Sequence, residues 1–137
     1  MGDGSDSETR ASVLLVEDEP MVSEIATEAL QEQGFEVEAV STASEALLRL
    51  LMGSPFDILF TDVHLPGGMD GAALARRARE LRPDLPVVYT SGRQSVIGKV
   101  DPVDGAMFIA KPYDPYNVGR MLQYLLVAKR TRAGAFA

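Results

Sequence analysis

Cysteine is absent from this chain of 137 residues, which excludes disulfides and thiolate metal sites and fits a reducing compartment. Long apolar runs are missing too, because none approaches the roughly 20 residues that a helix needs to cross a bilayer. The acidic, polar start of the chain is unlike the basic and apolar start of a secretory signal. We therefore expect a cytoplasmic protein that has no membrane partner.

Positive charge is in short supply, with 13 Lys and Arg residues against 20 Asp and Glu residues and a formal net charge of −7. A surface that binds nucleic acid needs a surplus of Lys and Arg against the phosphates. The charge therefore argues against nucleic acid as a direct partner. The length suits one domain with a single substantial core, and the sequence contains no internal repeat or second domain.

Five short apolar runs, each followed by turn residues, predict five β-strands. The runs are residues 12–16, 36–40, 57–62, 86–90 and 106–110. Apolar residues at helical spacing predict helices after the first, second, third and fifth runs, whereas Gly98, Pro102 and Gly105 allow about two helical turns between the fourth and fifth. This alternation predicts an α/β fold, a parallel sheet with helices on both faces. We expect residues 11–128 to form the domain, and residues 1–10 and 129–137 to be flexible tails.

Polar residues follow several of the predicted strands, and the carboxyl ends of parallel strands lie at one edge of a sheet. The residues delivered to that edge are Glu17, Asp18, Asp62, Thr90, Ser91 and Lys111. Crowded carboxylates need a cation to neutralise them, and oxygen ligands without His or Cys suit Mg²⁺. Lys111 and Thr90 are suited to bind phosphate oxygens. Phosphoryl transfer needs little beyond such positioning and charge neutralisation, so the residues predict Asp62 as a nucleophile and Mg²⁺ as its cofactor.

The same positions carry a family resemblance, since the sequence is similar to response-regulator receiver domains over about residues 11–128. The motifs that carry it are Glu17-Asp18, Thr61-Asp62 with Pro66 and Met69-Asp-Gly71, Tyr89-Thr90-Ser91, and Lys111-Pro112. The resemblance implies a flavodoxin-like, doubly wound (βα)5 fold. It also implies a signalling switch of a two-component system, not an enzyme that turns over an external substrate.

The resemblance implies that Asp62 accepts a phosphoryl group from the phosphohistidine of a sensor histidine kinase or a histidine phosphotransfer protein. It implies Mg²⁺ ligation by Asp18, Asp62 and the backbone carbonyl of His64, with Glu17 acting mainly through a bound water. His64 is the only histidine of the chain, and we expect its side chain to face solvent.

The resemblance also implies a conformational response to phosphorylation. Thr90, next to Ser91 in the switch motif, would move toward the phosphoryl oxygens, and Phe108 would turn inward behind it. Lys111 would pair with the phosphoryl group. In the family this response alters a surface made by the fourth helix, the fifth strand and the last helix, which contacts downstream proteins and serves homodimers as well.

Three departures from the common pattern stand out: Glu17 in place of the usual Asp, a turn at Gly67-Gly68 that is one residue longer, and the interrupted stretch 94–105. The last is similar to receivers attached to hybrid histidine kinases, so a phosphate sink or relay is one alternative. A phosphorylation-independent docking module is another. An aspartyl phosphohydrolase would need an acid where His64 stands, and a nucleotide carrier would need a glycine-rich loop after the first strand.

Overall fold

The computed structural model of the protein describes residues 10–92 and 101–135. These residues contain five β-strands and four α-helices. The strands are β1 (Ser12–Val16), β2 (Glu36–Val40), β3 (Ile58–Asp62), β4 (Val87–Ser91) and β5 (Met107–Ala110). The helices are α1 (Pro20–Glu32), α2 (Ala43–Leu51), α3 (Gly71–Leu81) and α4 (Pro115–Ala135). The helical turns expected at 94–100, and nearly all of the N-terminal tail, lie outside the described residues.

All five strands are parallel, in the order β2-β1-β3-β4-β5. Strands β3 and β4 are buried along their whole length, as strands covered by helices on both faces must be. The predicted α/β class and parallel sheet are therefore confirmed. The strand order reverses between β1 and β3, and such a switch point opens a crevice at the carboxyl ends of the two strands.

The sheet separates two hydrophobic cores, and strand residues alternate between them. Leu59 and Tyr89 belong to the first core, which α2 and α3 cover. Phe60 and Val88 belong to the second core, which α1 and α4 cover. Because neighbouring strand residues point to opposite faces, this alternation also fixes the face of each residue at the strand ends.

The ends of three helices are set by capping residues. Thr42 caps α2 by accepting a hydrogen bond from the Glu45 backbone N–H at 3.1 Å, as in a capping box. Asp70 caps α3 in the same way through the Ala73 N–H at 2.8 Å. Gly34 ends α1 with a φ of 98°, in the left-handed region that glycine adopts without steric cost.

The structure corrects the expected C-terminal tail and shows that three apolar residues in the helices are exposed. Ile25, Leu51 and Leu81 have the spacing of inward-facing residues but are 53%, 58% and 44% exposed, because they lie at the margins of the buried stripes. The last helix does not give way to a flexible tail at residue 129, since α4 continues to Ala135. Alanine and arginine have high helix propensity, and basic residues such as Lys129 favour a helix C-terminal end.

Candidate functional site

The crevice at the switch point holds three carboxylates. Ligand oxygens of Glu17, Asp18 and Asp62 lie within 4.8 Å of one another. The Glu17 backbone N–H donates to the Val40 carbonyl at 3.1 Å, so hydrogen bonding to the neighbouring strand continues one residue past β1. Glu17 and Asp62 are 2% and 6% exposed, whereas Asp18 is exposed to solvent.

Lys111 reaches this cluster from the connection after β5. Its Nζ lies 2.8 Å from Asp62 Oδ2, 2.7 Å from Glu17 Oε1 and 3.7 Å from Glu19 Oε1. Burial alone would lower the pKa of Lys111, but its hydrogen bond to Asp62 and its ion pair with Glu17 outweigh that effect and raise the pKa. The sheet therefore brings an ammonium that is charged at neutral pH against two buried carboxylates.

Glu17 is the most strongly buried acid of the cluster, and burial raises its pKa although the ion pair with Lys111 opposes the change. The Glu19 backbone N–H donates to Glu17 Oε2 at 3.1 Å. Carboxylate oxygens crowded in this way, without nitrogen or sulfur ligands, fit a hard divalent cation such as Mg²⁺. Glu17, Asp18 and Asp62 are the residues that would hold it.

The backbone around Asp62 is fixed by the start of α3. A Cβ atom at Gly71 would lie 1.8 Å from the Asp62 carbonyl oxygen, and the Gly71 N–H donates to the Val63 carbonyl at 2.8 Å. The Thr61 hydroxyl donates to the Asp62 carbonyl at 2.9 Å, and the His64 backbone N–H donates to Asp62 Oδ1 at 3.2 Å. The sequence marks Gly71 as part of a motif, but its steric role becomes visible only with α3 in place.

The two hydroxyl residues at the end of β4 point to opposite faces of the sheet. Thr90 pairs with Asp62 and lies on the face of Val88, toward α1 and α4. Ser91 lies on the other face, with Tyr89 and Phe108, whose rings stack with centroids 4.9 Å apart. Thr90 and Phe108 were expected to act together. They lie on opposite faces, because residue alternation along β4 separates them.

A groove of about 460 Å³ opens beside Lys111, between the first turns of α1 and the connection from β5 to α4. Its walls are mostly apolar and include Val22, Ile25, Pro112 and Tyr113. The His64 side chain is exposed, as expected. Among the described residues, no helix is both long and apolar enough to span a membrane.

Comparison with known proteins gives one consistent result. Residues 13–123 match the family described as response regulator receiver domain. The chain is 33% identical over 119 residues to the response regulator receiver protein CpdR of Brucella abortus, covering 85% of this chain and 97% of CpdR. It is 35% identical over 119 residues to the sensor kinase CckA of the same organism, covering 85% of this chain but 12% of CckA. A solved response regulator receiver protein from Sinorhizobium medicae superposes with a TM-score of 0.83 at 30% identity, covering 89% of this chain and 98% of that one.

The doubly wound sheet with an acidic cluster at its switch point is therefore the scaffold of a signalling switch, not of an enzyme acting on an external substrate. The chain belongs to the response regulator receiver domain family. Receivers of this kind act in two-component signalling, where they interact with histidine kinases, and they generally bind Mg²⁺ at an acidic pocket. The chain spans only a small part of CckA, so the activity of that whole protein is not transferred to it.

Proposed function

We propose that Asp62 accepts a phosphoryl group from the phosphohistidine of a sensor kinase or phosphotransfer protein. In this reaction a carboxylate oxygen of Asp62 attacks phosphorus, and the P–N bond to the imidazole breaks as the acyl phosphate forms. The observation that carries the proposal is the Lys111 ammonium 2.8 Å from Asp62 Oδ2, within the acidic cluster. That charge is already positioned where negative charge accumulates on the transferred group.

Glu17, Asp18 and Asp62 would hold Mg²⁺, with the His64 carbonyl as a further ligand. When bound, the ion supplies charge neutralisation for the transferred phosphoryl oxygens. Lys111 pairs with Glu17 and Asp62 in the unphosphorylated protein. After transfer, its ammonium follows the new phosphoryl oxygens, because they carry more charge than the carboxylate that they replace.

We assign the hydroxyl that responds to phosphorylation to Ser91 instead of Thr90. Ser91 shares a face with Phe108, and their strands are paired, with Ser91 opposite Ala110. A movement of Ser91 toward Asp62 therefore opens space on the side where Phe108 packs. The change would alter the surface formed by β5 and α4, which contacts a downstream protein or a second copy.

A relay or sink role within a phosphotransfer chain is the second candidate function. The similarity of the chain to part of the sensor kinase CckA favours it. In that role the phosphoryl group moves from Asp62 to a second histidine, and no downstream effector is needed. Transfer of label from phosphorylated protein to a histidine phosphotransfer domain would distinguish the relay from a terminal switch.

The primary test is phosphorylation of the Asp62→Asn variant with a labelled small acyl phosphate and Mg²⁺. The wild type and an Asp84→Asn control, in which the changed side chain is exposed, should incorporate label that chelation of Mg²⁺ abolishes. Asp62→Asn should incorporate none. Stable label in the Asp62→Asn variant would refute the assignment.

A further inference from the structure

Two buried hydroxyls near the site lack a protein partner. Thr90 Oγ1 and Tyr113 OH form no hydrogen bond with any residue that the structure describes. Thr90 is 2% exposed, so its hydroxyl is removed from bulk solvent. Buried hydroxyls almost always find a partner, either protein or ordered water, because leaving them unpaired sacrifices their hydration.

Both hydroxyl residues lie on the same side of the sheet. The Tyr113 ring packs on Phe60, with centroids 5.7 Å apart. Phe60 pairs with Val88, and two residues further along each strand Asp62 pairs with Thr90. Strand alternation puts Thr90 on the face of Val88. The two hydroxyls therefore approach the phosphoacceptor from the side of α1 and α4.

Glu17 supplies an acceptor on that side. It follows Leu15 by two residues, so it shares the face of the second core. Its Oε1 forms an ion pair with Lys111 Nζ at 2.7 Å. The two atoms are not aligned for a hydrogen bond, and no other described residue donates a hydrogen bond to this oxygen. Tyr113 lies on the same connection as Lys111, two residues further along, and Lys111 Nζ contacts this Glu17 oxygen. Burial, followed by the charge of Glu17, raises the pKa of Tyr113 to about 12.

We propose that Thr90, Tyr113 and Glu17 hold one ordered water, and that this water positions the Glu17 carboxylate toward the metal. The Tyr113 and Thr90 hydroxyls donate to the water, and the water donates to Glu17 Oε1. Three polar partners are the usual number for a buried water. Glu has one more rotatable bond than Asp, so a Glu at this position needs a further contact to fix its carboxylate. The positioning of Glu17 toward a metal rests on the proposed function, whereas the ordered water does not.

The metal-free protein tests the water directly through Thr90→Val, Tyr113→Phe and the double variant. A crystal structure should show a water hydrogen-bonded to all three residues. Each single variant should lower the urea midpoint, and the double variant should lower it by less than the sum, because both hydroxyls share one water. Thr90→Ser should restore the midpoint, and Tyr124→Phe, which alters a 67% exposed tyrosine, should leave it unchanged. Midpoints that rise in both single variants would mean unpaired hydroxyls and would overturn the proposal.

Calorimetric titration with Mg²⁺ tests the positioning role. Thr90→Val and Tyr113→Phe should each weaken Mg²⁺ binding by roughly tenfold, as loss of a contact that orients a metal ligand does. Saturating Mg²⁺ should restore phosphorylation of Asp62. Unchanged affinity in both variants would overturn the positioning role. Failure of the wild type to be phosphorylated would instead contradict the proposed function and would leave the crystallographic and unfolding results standing.

Discussion

Replacement of Gly71 by alanine should displace the start of α3 from the backbone of Asp62. The added Cβ would lie 1.8 Å from the Asp62 carbonyl oxygen, where real contacts are not shorter than 3.0 Å. The neighbour is backbone, so either α3 or the end of β3 must move by more than an ångström. Overpacking of this kind costs about 1–3 kcal/mol. Loss of the hydrogen bond from the Gly71 N–H to Val63 adds about 1 kcal/mol.

We therefore expect Gly71→Ala to lower the free energy of unfolding by about 2–4 kcal/mol, the range given by those two contributions, in urea titrations monitored by circular dichroism. Phosphorylation of the folded variant should also slow, because Asp62 is displaced from Lys111. Gly68→Ala is the matched control, since its Cβ would meet nothing within 4 Å and its φ lies outside the left-handed region. An unfolding free energy of Gly71→Ala equal to that of the control would refute the steric argument.

Three further changes test other parts of the molecule. The pKa of Lys111 in the folded protein is raised above 10.5, so the stability that its charge contributes is complete below pH 10.5 and is lost as pH rises. Urea midpoints of the wild type should therefore fall above that pH, and those of Lys111→Met should fall less steeply. Ile25→Glu puts a charge on a 53% exposed residue at the groove beside Lys111. It should slow phosphotransfer from a donor protein but not from a small acyl phosphate. Equal slowing with both donors would contradict a role of Ile25 in contacting the donor protein. Thr42→Ala removes the α2 cap and should lower the unfolding free energy by about 1 kcal/mol, whereas an unchanged value would mean that the cap contributes nothing.

The sequence predicted the sheet well because its strands are short apolar runs that end at turn residues. The same local signal brought Glu17, Asp18, Asp62 and Lys111 to one edge, since parallel strands share their carboxyl ends. The roles of the two hydroxyl residues Thr90 and Ser91 were harder to predict. They are adjacent in the sequence, and strand register decides which face of the sheet each one occupies.

Other features depend on tertiary packing. The exposure of Ile25 and Leu81 depends on the width of each helix's buried stripe, which periodicity alone does not fix. The need for glycine at position 71 comes from contact with the backbone nine residues earlier. The Tyr113 hydroxyl carries no sequence signal of function, since an aromatic residue after a strand is ordinarily part of the core. The burial of this hydroxyl without a partner in the part of the chain that the structure describes becomes evident only in three dimensions.

The charge balance of the site indicates an order of events. Three carboxylates and one ammonium leave an excess of two negative charges in a largely buried crevice, and a phosphoryl group would add to that excess. A divalent cation held by Glu17, Asp18 and Asp62 would cancel that excess, so we expect Mg²⁺ to bind before a phosphodonor. Lys111 bridges Glu17 and Asp62, and it cannot stay equidistant once one of them carries a phosphoryl group. The shift of a single ammonium would thus link the proposed chemistry at Asp62 to the environment of Glu17, on the side of the sheet opposite Ser91 and Phe108.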